Sequence, residues 1–430
     1  MKRTVIDDLI KWKQLNYDNP LLLTGAKGVG KTYLAYDFAK AFFEDIYYLN
    51  FEREPGTKDL FNIMSQQESV NALSGYFHLK QEKPIETRIL ILDEVHCCLE
   101  AMNMIKAGQL QNIFRYIITI SSNPLPNECK ENVTLIPVYP LEFDEFLKAT
   151  GNDWYIDLIV MHFQANKSIP EIVHTELLAL HELYLQIGGM PGIINEYLNM
   201  SSVVNVSEQH SSFISSYHDG IIRDYKDNDA LKMNQVFDSL VYQLMKDNKK
   251  FQYKLIRKGT THSMYKDSIQ RLSDLNYVIK CNRISNEQLM NPIQTFHSED
   301  WNSIEANTNF KLYMPDTGML YTKMVEEQGP ILNHNLKKAL LENYVARSLQ
   351  TKNYPFAFWE SDSMAKIDFI ISNNQTTIPI EIFENDNTRS KSISIIKQKL
   401  DFPYSIKIST KNFEYANQIK YVPYYAVFCL

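Results

Sequence analysis

The chain has 430 residues, 44% hydrophobic and 22% charged, with a formal net charge of -7. This length points to about three domains with real cores, and the acidic balance argues against a protein coated throughout by nucleic acid, although it averages over domains. Five cysteines, Cys97, Cys98, Cys129, Cys281 and Cys429, lack paired metal spacing and read as reduced thiols of a cytoplasmic protein. The first residues lack the apolar stretch of a secretory signal, and no apolar run approaches the ~18 residues of a membrane span.

Residues 1–18 pattern as an amphipathic helix with Val5, Ile6, Leu9, Ile10 and Trp12 on one face. Leu21 to Leu23 read as a short buried strand. Gly25-Ala26-Lys27-Gly28-Val29-Gly30-Lys31-Thr32 then fits G-x-x-x-x-G-K-[ST], and a helix follows from Tyr33. Strand, loop and helix is the context that a phosphate-binding loop needs. The three glycines let backbone N–H groups turn inward toward phosphate oxygens, and the helix N-terminus adds partial positive charge. Residues 25–33 are therefore expected to hold ATP, with Lys31 against the β- and γ-phosphates and Thr32 on Mg²⁺.

A second strand is expected over Ile46 to Phe51. Arg88-Ile89-Leu90-Ile91-Leu92-Asp93-Glu94 follows, an apolar strand ending in two acids. A buried strand delivers such carboxylates to its C-terminal edge, where open α/β sheets bind ligand. About 60 residues after a P-loop, this is the Walker B pattern. Asp93 is assigned to Mg²⁺ and Glu94 to polarising the attacking water. His96, Cys97 and Cys98 read as structural. Phe114 to Asn123 is another buried strand, and its polar end suggests a sensor of the γ-phosphate: Ser121 first, Thr119 second, on the same face. Simple strand-end polarity explains the same residues. Arg115 lies at the other end of that strand.

Residues 140–225 pattern as helices, interrupted by Gly188-Gly189-Met190-Pro191 as a sharp turn. Arg223 reads as either a phosphate contact or a surface ion pair. From 231 the pattern is three helices and a strand at Tyr277 to Lys280, a winged helix-turn-helix. Lys249, Lys250, Lys254, Arg257, Lys258, Lys266, Arg271, Lys280 and Arg283 fall in this stretch, opposed by Asp267 and Asp274. Such an excess suits DNA phosphates; solvated lysines on a domain resting against the ATPase core are the alternative. Residues 286–310 are polar and poorly patterned.

The C-terminal stretch reads as a helix over 336–349, strands over 357–359, 366–371 and 377–383, a helix over 392–400 and a strand over 404–409. This order resembles the restriction-endonuclease-like fold, whose site joins a helix Glu, an Asp and E-x-K. The acids match as Glu342, Asp368 and Glu381, a vestigial Mg²⁺ site. The lysine position is Phe383, and a phenyl ring cannot stabilise phosphate charge. Lys366 and Lys397 are the candidate substitutes.

Taken together, Gly25 to Thr32, Ile89 to Glu94, Pro140 to Phe146, Gly188 to Pro191, Phe251-Gln252-Tyr253 and Ile378 to Glu381 resemble bacterial and archaeal AAA-type ATPases that carry a C-terminal DUF4143 and a nuclease-like tail. The resemblance implies an α/β fold. Its parts are a P-loop ATPase core of AAA+/ASCE type over 1–150, a helical lid over 151–230, a winged helix over 231–285, a linker over 286–330 and a restriction-endonuclease-like domain over 331–430. The function expected is that of a Mg²⁺-dependent ATPase switch that engages DNA or an unidentified protein partner and no membrane. An ATP-gated nuclease using Glu342, Asp368 and Glu381 and a non-hydrolysing recruitment module are the alternatives.

Overall fold

The computed structural model describes residues 3–15, 19–62, 66–79, 84–200, 204–298, 301, 308–330, 333–361, 365–373 and 376–430. These form two compact units, Met1–Tyr139 and Pro140–Leu430.

The first unit is built on strands β1 Leu21–Thr24, β2 Asp45–Asn50, β3 Arg88–Asp93, β4 Tyr116–Ser121 and β5 Thr134–Pro137. All neighbours are parallel, in the order β2-β3-β4-β1-β5. Every residue of β3 and β4 is buried, as expected of central strands covered on both faces, which explains their unbroken apolar runs. Strand β5 was not legible in sequence: it has four residues, and only Ile136 is buried. Helices α1 Ile6–Gln14, α2 Lys31–Phe42, α3 Gln66–Tyr76 and α4 Leu99–Lys106 complete the unit. Helix α1 is shorter than expected. It buries Leu9 and Trp12, whereas Val5, Ile6 and Ile10 are only partly covered. Trp12 packs against Phe38 and Tyr116 and donates its indole N–H to the Asn19 carbonyl at 2.9 Å.

The second unit opens with helices α5 Phe143–Ala149, α6 Trp154–Ala165, α7 Glu171–Ile187, α8 Pro191–Met200, α9 Val204–Asp224, α10 Asp227–Leu244 and α11 His262–Asp274. Strand β6 Ile279–Arg283, helix α12 Pro292–His297, strand β7 Phe310–Tyr313 and helices α13 Thr317–Gln328 and α14 His334–Thr351 follow. Then come β8 Phe356–Glu360, β9 Lys366–Asn373, β10 Thr376–Ile382, α15 Ser392–Ile396, β11 Ser405–Ser409, β12 Glu414–Ala416 and β13 Ile419–Pro423. The strands form one sheet in the order β12-β13-β11-β10-β9-β8-β6-β7.

Three expected boundaries differ from this arrangement. The compact units divide after Tyr139, which groups α5 with the second unit, whereas the expected core ran to 150. The strand expected as a free wing is β6, which pairs in parallel with β8 and antiparallel with β7. The strand that closes the 231–285 stretch therefore shares a sheet with the C-terminal strands. The 286–330 stretch is no simple linker, because it supplies β7, fully buried, and α13. Local patterning located a strand here but cannot reveal a pairing partner some 75 positions away.

The Gly188-Gly189 turn between α7 and α8 has a steric cause. Gly188 has φ of 75°. A Cβ there would meet Asp316 Oδ1 at 2.2 Å, and one on Gly189 would meet the Leu141 carbonyl oxygen at 2.2 Å. The close approach is used: Gly189 N–H donates to Asp316 Oδ2 at 2.6 Å, while Asp316 Oδ1 caps α13 through Met319 N–H at 3.1 Å. Gly189→Ala must push backbone away, so it should destabilise the second unit by about 2–4 kcal/mol. Urea unfolding followed by tryptophan fluorescence measures this.

Candidate active site

The P-loop joins β1 to α2. Gly25, Gly28 and Gly30 have φ of 143°, 87° and 91°, conformations that disfavour a side chain. At Gly25 the constraint is also steric, since a Cβ would lie 2.1 Å from the Val138 carbonyl oxygen. Ala26 and Val29 are buried packing residues whose contribution to a phosphate cradle is backbone. Lys27 reaches outward to Glu52 at 3.2 Å, and Tyr33 is exposed.

Lys31 is buried and donates to the Gly25 and Ala26 carbonyls at 2.8 and 3.0 Å. Burial lowers its pKa to about 8, with Glu94 and Asp93 holding it up. Its ammonium is thus folded against the loop, in a position to exchange carbonyl acceptors for phosphate oxygens.

Thr32 on α2 and Asp93 at the end of β3 come together: Thr32 Oγ1 donates to Asp93 Oδ2 at 2.7 Å. Tyr48 on β2 donates to the same oxygen at 2.8 Å, and Glu94 N–H donates to Asp93 Oδ1 at 3.0 Å. A hydroxyl and a carboxylate side by side are the oxygen ligands that Mg²⁺ prefers, so this pair fits the ion.

Glu94 takes a left-handed backbone, φ 55°, an uncommon conformation for a non-glycine residue and one that clusters at functional positions. Its Oε2 accepts from Ser122 N–H at 3.0 Å and Ser122 Oγ at 2.7 Å, and His96 Nδ1 lies 3.2 Å away. Burial alone would raise the Glu94 pKa, but His96, Lys31 and Ser122 bring it down to about 2. Burial opposes a proton on His96, yet its contacts with Cys97 and Glu94 raise it to about 9.

At the polar end of β4 the hydroxyls have protein partners. Ser121 Oγ donates to the Asn123 carbonyl at 2.6 Å and stands 3.4 Å from His96 Nδ1. Thr119 is fully buried and donates to the Leu21 carbonyl at 3.0 Å, which ties β4 to β1. The serine that meets Glu94 is Ser122. Sequence reading also missed Tyr48, the role of His96, and Arg3, whose guanidinium donates to the Val29 carbonyl at 3.0 Å and the Tyr139 carbonyl at 2.6 Å. Adjacency to Glu94 was a signal for His96; an isolated N-terminal arginine carries none.

The second acidic set lies in the second unit. Glu342 on α14 is buried, with Lys249 Nζ 3.0 Å from Oε1 and Lys311 Nζ 3.4 Å from Oε2. Burial opposes its ionisation, but these ammonium groups outweigh that and lower its pKa. Asp368 on β9 accepts from Ile382 N–H at 2.8 Å, and Lys338 Nζ lies 3.8 Å away. Glu381 on β10 accepts from Ser390 Oγ at 2.5 Å. Opposite it in the parallel register stands Lys407 of β11, with Nζ at 3.6 Å and 5.2 Å above the Phe383 ring. Of the expected substitutes, Lys366 is exposed at the edge of the cavity lined by Glu342 and Asp368, and Lys397 donates to Gln418. Each carboxylate faces a lysine where a metal would sit. Among the described residues no group of three or more His, Cys, Asp or Glu is placed to hold a metal. The vestigial Mg²⁺ site expected at Glu342, Asp368 and Glu381 therefore does not fit the ion.

The expected basic DNA face is also thinned. Lys249 pairs with Glu342, Lys250 with Glu360 and Arg271 with Asp229, while Arg283 donates to the Glu360 carbonyl. Burial lowers the Lys280 pKa to about 8. Arg223 pairs with Asp224 at 2.7 Å. No single helix among the described residues is long and apolar enough to cross a membrane.

Comparison with known proteins matches three successive stretches of the chain. Residues 17–147 match an AAA domain, residues 179–328 a domain of unknown function (DUF8612) and residues 337–427 a domain of unknown function (DUF4143). A search of the curated proteins finds no match. Similar solved structures include a Walker-type ATPase of Pyrococcus abyssi, 13% identical, with a TM-score of 0.41 over 75% of this chain and 95% of that one. The RuvB Holliday junction branch migration motor of Thermotoga maritima is 16% identical, with a TM-score of 0.23 over 34% and 50%. The Pif1 helicase of Candida albicans is 14% identical, with a TM-score of 0.24 over 41% and 47%. The first unit has a parallel-sheet, P-loop NTPase-like fold, and the AAA and DUF4143 matches support an AAA-type ATPase family for the chain.

Proposed function

We propose that the chain binds ATP at Gly25 to Thr32 and hydrolyses it, acting as a nucleotide-dependent switch. The observation that carries this reading is the 2.7 Å contact between Thr32 and Asp93, which joins the P-loop to the acidic end of β3. Loop amides bind the phosphates, and Lys31 exchanges its carbonyl acceptors for β- and γ-phosphate oxygens. Thr32 and Asp93 would hold Mg²⁺, which when bound screens phosphate charge. Glu94 stays ionised near neutrality and polarises the attacking water. Ser122 and His96 orient it through their hold on Oε2. For the partner, DNA is supported by Lys254, Arg257 and Lys258, the exposed cations of the basic stretch; a DNA affinity that falls steeply with salt is the expected signature. No specific observation favours the nuclease alternative, because lysines neutralise its acids.

Steady-state phosphate release tests the reading. Glu94→Gln should lower turnover by about 10²–10⁴-fold while leaving ATP binding in place. Lys31→Ala should weaken ATP binding by at least about tenfold and remove turnover. ATP uptake without turnover by the native chain would instead favour the non-hydrolysing module.

The His96–Glu94 pair also sets a pH dependence. His96 is raised from its ordinary 6.5 to about 9. The stability it contributes is fully present below 6.5 and is lost as pH rises through about 9. Glu94 is lowered, so its contribution is present above its ordinary 4.5 and lost as pH falls through about 2. Thermal unfolding of the first unit should therefore shift to lower temperature between pH 6.5 and 9, and His96→Gln should flatten that decline.

A further inference from the structure

The Asp93 carboxylate is held from three directions. Thr32 of α2 and Tyr48 of β2 donate to Oδ2 at 2.7 and 2.8 Å, and the Glu94 amide donates to Oδ1 at 3.0 Å. Such holding matters because the terminal torsion of an aspartate is broad and roughly two-fold, so its own rotamer sets the carboxylate plane only loosely. Two of these donors have other duties. Thr32 is the proposed partner of Asp93 in holding Mg²⁺, and the Glu94 amide belongs to the next residue of the chain. Among the described donors, Tyr48 alone acts on the carboxylate from a neighbouring strand.

Tyr48 is itself held. Its ring makes an edge contact with Tyr36 of α2, with centroids 6.1 Å apart. Two residues further along β2, and on the same face, Asn50 donates from Nδ2 to the Tyr48 hydroxyl at 3.3 Å. A phenol has one O–H, and with its oxygen accepting from Asn50 that hydrogen is directed to Asp93. Asn50 is 5% exposed, and its Oδ1 accepts from the Glu52 and Arg53 amides at 3.1 and 2.8 Å, which sets the orientation of the side-chain amide. A chain of hydrogen bonds thus runs from the turn after β2 through Asn50 and Tyr48 to the carboxylate. Glu52 of the same turn meets Lys27 of the P-loop at 3.2 Å.

We propose that Tyr48 is a positioning residue that makes the Thr32–Asp93 pair selective for Mg²⁺ over Ca²⁺. This role rests on that pair being the cation site of an ATP-binding loop. Mg²⁺ demands near-ideal octahedral geometry from its oxygens, whereas Ca²⁺ accepts more oxygens in a looser arrangement. A carboxylate fixed in advance therefore favours the smaller ion, and one free to rotate penalises that ion more than the larger. Removal of the Tyr48 hydroxyl leaves Thr32, Asp93 and the loop amides present and takes away only the fixing.

Calorimetry of the full chain with a non-hydrolysable ATP analogue, in Mg²⁺, in Ca²⁺ or in EDTA, tests this role. The parent chain should bind the analogue more tightly with Mg²⁺ than with Ca²⁺. Tyr48→Phe keeps the ring and its contact with Tyr36. It should weaken binding with Mg²⁺ by about three- to tenfold, the cost of ordering one side chain, while binding with Ca²⁺ or EDTA changes by less than about twofold. Tyr36→Phe, which removes the hydroxyl from the other ring of the pair, should leave the preference for Mg²⁺ as it is. The role is overturned if Tyr48→Phe keeps the parent's preference, if its binding falls equally in all three conditions as for a purely structural residue, or if Tyr36→Phe shows the same Mg²⁺-specific fall. A parent chain that binds the analogue equally with the two ions also overturns it. A parent chain that takes up no analogue with Mg²⁺ overturns the ATP reading itself, and the selectivity with it.

Discussion

The hydrogen bond from Thr32 to Asp93 is the constraint on which the first unit depends. It connects the first turn of α2 to the end of β3, two segments about 60 residues apart. Asp93 is 2% exposed, and a carboxylate so buried must have its oxygens satisfied. Thr32 and Tyr48 meet one oxygen and the Glu94 amide meets the other. All these donors are neutral, so the carboxylate is satisfied without being neutralised, and its charge stays available to a cation. Burial of β3 and β4 on both faces keeps this geometry stiff.

The second unit handles buried acids in the opposite way. Glu342, Asp368 and Glu381 come from a helix and two strands. Here each meets an ammonium group. Lys407 shows how this is done: it arrives from the next strand, in register with Glu381, and lies over the Phe383 ring that occupies the expected lysine position. Charge is conserved locally while its covalent origin changes. A cation supplied by lysine takes the place that one supplied by a metal would fill.

Around Glu94 the two kinds of partner are combined. Ser122 offers neutral donors and His96 offers a charge. The left-handed backbone of Glu94 turns its side chain toward the end of β4, where both can reach it. Strain at this residue is maintained by three contacts to a single carboxylate oxygen.

The sequence by itself determined the ATP-binding loop, the buried acidic strand and most of the strands that carry them. Glycines with left-handed backbone, a lysine at the loop's end and unbroken apolar runs each impose their structure within a few residues, so local pattern suffices. It also located the Gly188-Gly189 turn, though not the reason for it, which is the approach of Asp316 and Leu141. Only the tertiary structure decided that Ser122 meets Glu94, that β6 and β7 join the C-terminal sheet, and that Lys249, Lys311, Lys338 and Lys407 neutralise Glu342, Asp368 and Glu381. Those outcomes depend on strand register and on contacts between residues far apart in the chain. A side chain's charge can be read from sequence, but the partner that satisfies it is chosen by packing.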